Sequence, residues 1–363
     1  MYAQKLTRQP GDGGQPVAWP LSHPWRLAVA CFFLIVVQLM FVIEGAGRSL
    51  GADALIDRYL DPVAPRMPAP RIRPDMKNSR SDARAFRAVA GLLSFLASML
   101  LLSGFGSIEG LLAPSKNLWP RWTVNDAAST VHIDHAAWSA FLQKYLVVGE
   151  INRLHYARVT AGDRHRLDSY IDALAALPIS RYSRREQLAY WINLYNAVTV
   201  RLVLEHYPVH SIRDIDISPG LLAPGPWDKD LIVVEGQQLT LNDIEHRILR
   251  PIWNDPRLHY VLNCAAQGCP NLLPQAFAAD DADRLLDQAA RSFINMRAVR
   301  IKRGKLIVSS IYDWFTEDFG GSEVGVLEHL RRYARPPLTK QLEDFQKIDG
   351  TEYDWRLNDA GQP

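Results

Sequence analysis

The sequence lacks the short signatures that would assign a chemistry directly. It contains no Walker phosphate loop, no G-x-G-x-x-G, no G-x-S-x-G and no H-E-x-x-H. Only three cysteines occur in 363 residues, which is too few for a disulfide scaffold. Two of them form a C-x4-C pair without a second pair, which argues against structural zinc. We therefore predict no cofactor and no metal site.

The sequence also lacks a strong excess of charge of either sign. It has 41 Lys and Arg against 39 Asp and Glu, a formal net charge of +2. No dense basic run with interleaved aromatics occurs, so we predict no nucleic-acid partner. With 48% hydrophobic and 22% charged residues, the composition is that of a folded chain rather than a disordered one.

Two long apolar runs near the amino terminus predict membrane segments. Leu27–Ile43 has seventeen residues without a charge, and Ala88–Ile108 has twenty-one. A helix needs about 20 apolar residues to cross a bilayer, within a range of roughly 17–25. We therefore interpret residues 1–26 as a tail, 27–43 as a candidate transmembrane helix and 88–112 as a transmembrane helix or signal anchor.

Residues 44–87, between the two runs, carry eight arginines, one lysine and several prolines. This pattern predicts a basic linker that stays cytoplasmic, with the C-terminal domain across the inner membrane in the periplasm. In an alternative interpretation, translation starts at Met76, so that a basic stretch precedes the second run as in a signal peptide or an uncleaved anchor. Both interpretations place the domain across the membrane, either tethered or exported.

Residues 119–363 predict one globular α+β domain, with helices around a small, mainly antiparallel sheet. Helices and short strands are interspersed without a strict βαβ rhythm, and Arg257–Cys264 is predicted to be a strand. The predicted helices are His135–Val148, Asp163–Leu177, Arg184–His206, Leu241–Leu249, Asp281–Met296 and Glu323–Tyr333, and the predicted hairpins are Leu231–Leu239 and Ala298–Ile311.

Two asparagines lie on one face of the longest predicted helix. Asn193 and Asn196 are three residues apart, among apolar neighbours. Buried amides are costly unless they are hydrogen-bonded, so each needs a definite partner. They either orient a group in an active site or tie neighbouring loop backbone into the core.

A loop with two cysteines follows the predicted strand, within NCAAQGCPNL from Asn263 to Leu272. Cys264 stands at the exit from the strand, and loops on rigid scaffolds often carry sites. Its thiolate would be a nucleophile if a base or a positive field lowered its pKa. Three interpretations remain open: a nucleophile, a Cys264–Cys269 disulfide in an oxidising compartment, or two small buried residues.

Two histidines are candidates for the base. His246 projects beside the apolar stripe of the predicted helix Leu241–Leu249, either as a base or as a histidine at the core's rim that bonds backbone. Strand alternation puts His259 on the face opposite Cys264, so His246 is the better predicted partner.

Five ordered segments resemble a family of bacterial and plant proteins known as domain of unknown function 547. They are YWINLYNA (190–197), LTLNDIEHRILR (239–250), RLHYVLNCAAQGCPNL (257–272), IYDWFTEDFG (311–320) and YDWRLN (353–358). The resemblance extends from about residue 140 to the end of the chain, and it implies the domain but no activity. It also implies that the position of Cys264 commonly holds a cysteine, whereas that of Cys269 also holds serine or another small residue. That implication weakens the disulfide interpretation.

Two hypotheses about function follow. In the first, the membrane-tethered or exported domain is a thiol-dependent hydrolase or acyl transferase. Cys264 is then the nucleophile, His246 the base, and Asn193 or Asn196 an orienting or oxyanion group. In the second, a non-catalytic module binds an envelope peptide, glycan or partner protein beside the Cys264 loop. A Cys264 sulfur within about 4 Å of an imidazole nitrogen favours the first, and a disulfide or a sulfur sealed in apolar packing favours the second.

Overall fold

The computed structural model describes residues 109–110, 113–219 and 225–361. The predicted tail, the candidate membrane segment 27–43, the linker and all but two residues of segment 88–112 lie outside the described residues. Within the described ranges, no helix combines the length and the apolar character needed to cross a membrane.

Helices and short strands follow one another along the described chain. The first part contains α1 (Ala136–Tyr145), β1 (Leu146–Val147), β2 (Arg153–Leu154), α2 (Ala161–Ala175), α3 (Arg184–His206), β3 (Ile232–Val234) and β4 (Gln237–Leu239). A π-helical segment (Asp243–Leu249) then continues into α4 (Arg250–Trp253). The remainder contains α5 (Ala282–Phe293), a second π-helical turn (Ile294–Ala298), β5 (Val299–Lys302), β6 (Lys305–Ser309), α6 (Ile311–Trp314), α7 (Glu323–Tyr333), α8 (Leu338–Glu343) and β7 (Gly350–Glu352).

The core of the domain is built around helix α3. The helix begins after Ser183, whose hydroxyl accepts the N–H of Glu186, as the capping pattern predicts. Almost every residue from Glu186 to Leu204 is buried. The helix packs against α2 and the π-helical segment. Burial on every face explains why its sequence shows no single apolar stripe.

The strands form three small sheets in the described part of the chain. The pairs β1–β2, β3–β4 and β5–β6 are antiparallel, and β7 joins β6 in parallel, with Ile307 opposite Gly350. Mixed helices and small sheets confirm the α+β class. The predicted hairpins form within the predicted ranges, with turns at Glu235-Gly236 and Arg303-Gly304.

The predicted strand Arg257–Cys264 is wrong. Pro256–Tyr260 is a 3-10 helix, which Asp255 caps by accepting the N–H of Arg257. Leu258, His259 and Tyr260 are all buried, so the alternation argument about His259 does not apply. A short apolar run that is buried all round does not show by its periodicity whether it is strand or helix.

The C-terminal segment returns to the loop that contains Cys264. The N–H of Gln267 donates to Arg356 O, that of Gly268 to Asp354 O, and that of Asn358 to Ala265 O, each at 2.8 Å. The YDWRLN segment therefore lies against the NCAAQGCPNL segment. Two stretches that are far apart in sequence meet at one site.

Candidate functional site

Cys264 lies in a sharp turn that its neighbours hold in place. Asn263 Oδ1 accepts the N–H of Ala265 at 2.9 Å, and Asn263 Nδ2 donates to Pro270 O at 2.8 Å. Ala265 has a φ of 60°, in the left-handed region that a residue with a Cβ adopts at a cost of about 1–3 kcal/mol. Strain of this kind clusters at functional sites, and here it shapes the turn that presents Cys264, which is partly exposed.

Asn196 fastens the backbone on which Cys264 is mounted. Its Nδ2 donates to Val261 O, and its Oδ1 accepts the N–H of Asn263, both at 2.9 Å. Asn193 binds the backbone of Phe277 in the same way. Its Nδ2 donates to Phe277 O at 2.9 Å, and its Oδ1 accepts the N–H of Phe277 at 2.8 Å. These contacts fit the interpretation that the two asparagines tie loop backbone into the core.

We expect Asn196→Ala and Asn193→Ala each to lower the free energy of unfolding by about 2–6 kcal/mol. Each change leaves a buried carbonyl and a buried N–H unpaired, at about 1–3 kcal/mol apiece. Urea unfolding of the full-length protein measures the loss. Only Asn196→Ala should also change the alkylation rate of Cys264, and an equal change in both variants would contradict this assignment.

Three donors surround the sulfur of Cys264. The sulfur lies 3.0 Å from the Tyr353 hydroxyl, and the Cys269 thiol and the backbone N–H of Ala266 also hydrogen-bond to it. The bond from Cys269, followed by those from Tyr353 and Ala266, outweighs burial and holds the pKa of Cys264 below its usual value. The turn therefore favours a thiolate at a partly exposed position.

Cys269 is the buried partner of this sulfur. It is 5% exposed, and its sulfur accepts the N–H of Cys264 at 2.9 Å. Burial, together with the neighbouring Cys264, raises the pKa of Cys269 well above its usual value. Its one proton has two acceptors within reach, Cys264 Sγ and Leu262 O at 3.6 Å. Both cysteines are free thiols, so the disulfide alternative is not the state that the structure shows.

Tyr353 supplies the hydroxyl donor from an aromatic cluster. Its ring centroid lies 4.7 Å from those of Trp314 and Trp355, and Trp355 in turn lies 5.8 Å from Trp227. Burial and the two neighbouring cysteines raise the pKa of Tyr353 well above its usual value. In the resting site the phenol is therefore protonated and able to donate. These four aromatic residues, all partly exposed, are called the aromatic cluster below.

Arg297 holds the other side of the loop. Its guanidinium donates to Gln267 O, to Cys269 O at 2.7 Å and to Asn271 Oδ1 at 2.9 Å. The loop is thus fixed between a partly buried cation and the C-terminal segment, and a positive charge lies close to the cysteine pair.

The structure gives His246 a different neighbour from the one predicted. The ring is 5% exposed, and its Nδ1 accepts a hydrogen bond from Arg250 Nη1 at 2.8 Å. Burial first, and then the charge of Arg250, lowers the pKa of His246 well below its usual value. Among the described contacts none joins His246 to Cys264, so its predicted role as the base stays a prediction.

A buried network of charges surrounds Asp318 instead. Asp318 Oδ2 accepts from His259 Nε2 and from Arg250 Nε, both at 2.7 Å, and Oδ1 lies 2.9 Å from Lys116 Nζ. Burial alone would raise the pKa of Asp318, but His259 and Arg250 outweigh it and lower the pKa. Phe315 packs against His259 at 4.4 Å and lies under the Arg250 guanidinium. The ring centroid of Phe315 is 6.5 Å from that of Trp314. The charge network therefore lies beside the aromatic cluster and supports it through Phe315.

The entry segment 114–119, which leads into the domain, is bound to residues of the same network. Arg250 Nη1 donates to Pro114 O at 2.8 Å, and the N–H groups of Asn117 and Trp119 donate to His246 O and Arg247 O at 3.0 Å. His246 and Arg250 thus help to fix the entry segment 114–119.

Gly268 is required where the C-terminal segment crosses the loop. A Cβ at this position would lie 2.6 Å from Asp354 N and 3.0 Å from Tyr353 Cγ. We expect Gly268→Ala to displace Tyr353, and so to lower both stability and the alkylation rate of Cys264. Gly149→Ala is the matched control, because its nearest neighbour would be Ile151 O at 3.5 Å. Unchanged alkylation in Gly268→Ala would contradict the role of this crossing.

Sequence reasoning did not identify two residues of this site. Tyr353 lies in the YDWRLN segment, whose sequence fits the family pattern but carries no sign of proximity to Cys264. Arg297 belongs to no motif. Among the described residues, no group of three or more His, Cys, Asp or Glu side chains is arranged to hold a metal ion.

Residues 179–294 match a family model described as Protein of unknown function, DUF547. The match confirms the family resemblance and extends from just before α3 to the end of α5, so it includes Cys264 and Cys269. Arg297 and Tyr353 lie beyond the matched range. Neither the curated proteins nor the solved structures yield a match to the chain.

Proposed function

Since residues 179–294 carry the domain of the DUF547 family, to which no activity is assigned, we propose a function from the geometry of the site. The domain is a thiol-dependent hydrolase or acyl transferase, and Cys264 is its nucleophile. The observation that carries the proposal is the set of donors from Tyr353, Cys269 and Ala266 around the sulfur of a partly exposed cysteine. The thiolate is the reactive form of cysteine, and these donors favour it without an imidazole in contact.

The reaction begins when the thiolate attacks the carbonyl carbon of an ester, thioester or amide. The carbon–sulfur bond forms, the carbonyl electrons move to oxygen, and the Ala266 N–H, no longer paired with a thiolate, can donate to the oxyanion. Collapse of the intermediate expels the leaving group, which takes the Tyr353 proton. A thioester on Cys264 and a Tyr353 phenolate remain.

The second half of the reaction restores the enzyme. Water, or an acceptor hydroxyl or amine, attacks the thioester and gives a proton to the Tyr353 phenolate. The carbon–sulfur bond breaks, and Cys264 leaves as a thiolate. Tyr353 thus acts as acid and then as base, whereas the sequence pattern predicted His246 as the base; His246 is bonded to Arg250.

The aromatic cluster supports a second candidate function, a binding module without catalysis. The four rings of Trp227, Trp314, Tyr353 and Trp355 are partly exposed together. The indole N–H groups of Trp314 and Trp355 have no acceptor among the described residues. The ring faces suit stacking with a glycan or an aromatic peptide side chain, although the two indole N–H groups themselves are buried. If such a ligand binds and Cys264 never forms an adduct, this candidate replaces the first.

An activated ester tests the thiol chemistry. The full-length protein is incubated with p-nitrophenyl acetate, and the acylated peptide is located by mass spectrometry. We expect acetyl on Cys264 that hydroxylamine removes, and none in Cys264→Ser. Acylation on other residues only, or the same nitrophenol release from Cys264→Ser, would overturn the proposal.

The proposal includes attachment to, or export across, the inner membrane. It is supported by the uncharged runs Leu27–Ile43 and Ala88–Ile108 and by the basic segment 44–87 between them. Carbonate extraction of membranes, together with protease added to right-side-out vesicles, tests it. We expect a membrane-retained or exported domain that the protease reaches, and a protected domain would contradict the assigned side.

A further inference from the structure

The two thiols of the Cys264 loop are held in contact, although five positions separate them in sequence. Cys269 Sγ accepts the backbone N–H of Cys264 at 2.9 Å, so this sulfur lies directly against the residue that carries the other thiol. The pair is asymmetric, because Cys264 is partly exposed while Cys269 is buried. Cys264 is therefore the more accessible residue of the pair, and Cys269 is the shielded one.

The backbone keeps this pair in register from two sides. The C-terminal segment binds the N–H groups of Gln267 and Gly268, and the Arg297 guanidinium binds the carbonyls of Gln267 and Cys269. Formation of a sulfur–sulfur bond then requires side-chain rotation rather than the closure of a mobile loop. A partly exposed cysteine with a second, buried thiol beside it is the arrangement of an attacking and a resolving cysteine.

We propose that Cys264 and Cys269 are a redox pair that a hydroperoxide converts into an intramolecular disulfide. The inference rests on the accessible thiolate of the proposed function, but not on acyl transfer. The Cys264 thiolate attacks the peroxide, breaks the O–O bond and becomes a sulfenic acid, while hydroxide or alkoxide leaves. The Cys269 thiol then attacks the sulfenic sulfur, and water leaves with the Cys269 proton. The cysteines lose two electrons and the peroxide gains them.

The disulfide changes the site in two ways. It removes the nucleophile, so acyl chemistry stops, and it protects Cys264 from further oxidation to the sulfinic acid. We expect a reducing thiol to attack at Cys264, the more exposed residue, so that Cys269 must then leave. Because burial raises the pKa of Cys269, it is a poor leaving group, so we expect slow reduction.

Intact-mass measurement tests the proposal on the full-length protein with Cys31→Ser, which removes the third thiol. After treatment with equimolar hydrogen peroxide, we expect the loss of two hydrogens and a Cys264–Cys269 crosslink in the peptide map. With Cys269→Ser added, we expect dimedone to trap a sulfenic acid at Cys264. With Cys264→Ser added, we expect neither product.

Two results would overturn the inference: both thiols survive the peroxide, or Cys264 is oxidised without forming the crosslink. Iodoacetamide labelling of the reduced protein separates this failure from that of the proposed function. Rapid labelling of Cys264 without a peroxide-induced disulfide would refute only the proposed redox pair. An absence of labelling would show that Cys264 is not an accessible thiolate, and it would refute both proposals.

Discussion

Replacing Arg250 by methionine is expected to lower the free energy of unfolding by about 3–5 kcal/mol, the usual cost of breaking a buried ion pair from one side. Arg250 is 1% exposed and is bonded to Asp318, Glu317, His246 and Pro114 O. Methionine keeps much of the volume but leaves Asp318 with only His259 and Lys116. Because these two partners remain, we expect a loss toward the lower end of the range.

The same substitution should change the response to acid. The pKa of Asp318 is depressed in the folded state, so its contribution to stability is complete above the unfolded pKa of about 3.9 and is lost as the pH falls toward the folded value. Without Arg250 the folded pKa of Asp318 rises, and the pH dependence contributed by this group becomes weaker. Urea unfolding across acidic pH measures both effects.

An exposed ion pair provides the control for Arg250. Arg166 lies on the surface, 72% exposed, and pairs with Asp163 at 2.5 Å. Arg166→Met should cost no more than about 1 kcal/mol, because solvent screens such pairs. Equal losses from Arg250→Met and Arg166→Met would show that the buried network does not stabilise the domain as described.

Replacing Tyr353 by phenylalanine is expected to slow alkylation of Cys264 at neutral pH by about tenfold or more. The change removes one hydroxyl that donates to the thiolate and keeps the ring against Trp314 and Trp355. A hydrogen bond to a charged group contributes about 1.5–3 kcal/mol, and about 1.4 kcal/mol corresponds to a factor of ten. The thiolate fraction at neutral pH should fall accordingly.

Tyr312→Phe is the matched control for Tyr353→Phe. Tyr312 is buried, and its hydroxyl is hydrogen-bonded to the Tyr260 hydroxyl at 3.1 Å, away from the cysteine loop. It should leave the alkylation rate of Cys264 unchanged while costing some stability. If both variants slow alkylation equally, the effect is structural rather than a property of the hydroxyl beside the sulfur.

Most of the fold could be predicted from local patterns, because caps and apolar periodicity act over a few residues. The bounds of α3 and α7 are those predicted, Arg184–His206 and Glu323–Tyr333. The segment after Pro256 was mistaken for a strand because it is buried on all sides. The helix predicted over Leu241–Leu249 has π-helical geometry from Asp243 onward, which an α-helical wheel does not reproduce.

The site could be predicted only in part, for a physical reason. Cys264 and the loop around it follow from local sequence, and so does the need of Asn193 and Asn196 for partners. Tyr353 reaches the sulfur from 89 residues away, through main-chain hydrogen bonds between two irregular segments. Irregular pairing of this kind has no periodicity, so sequence patterns offered His246 as the partner instead.

The central claim is that Cys264 is accessible and that its pKa lies below that of a free cysteine. The pH dependence of its alkylation by iodoacetamide, followed by peptide mapping in the full-length Cys31→Ser protein, tests this claim most directly. We predict that Cys264 is labelled, that Cys269 is not, and that the rate rises with a midpoint below that of a free cysteine, about 8.5. A midpoint at or above that of a free cysteine, or no labelling at any pH, would contradict it.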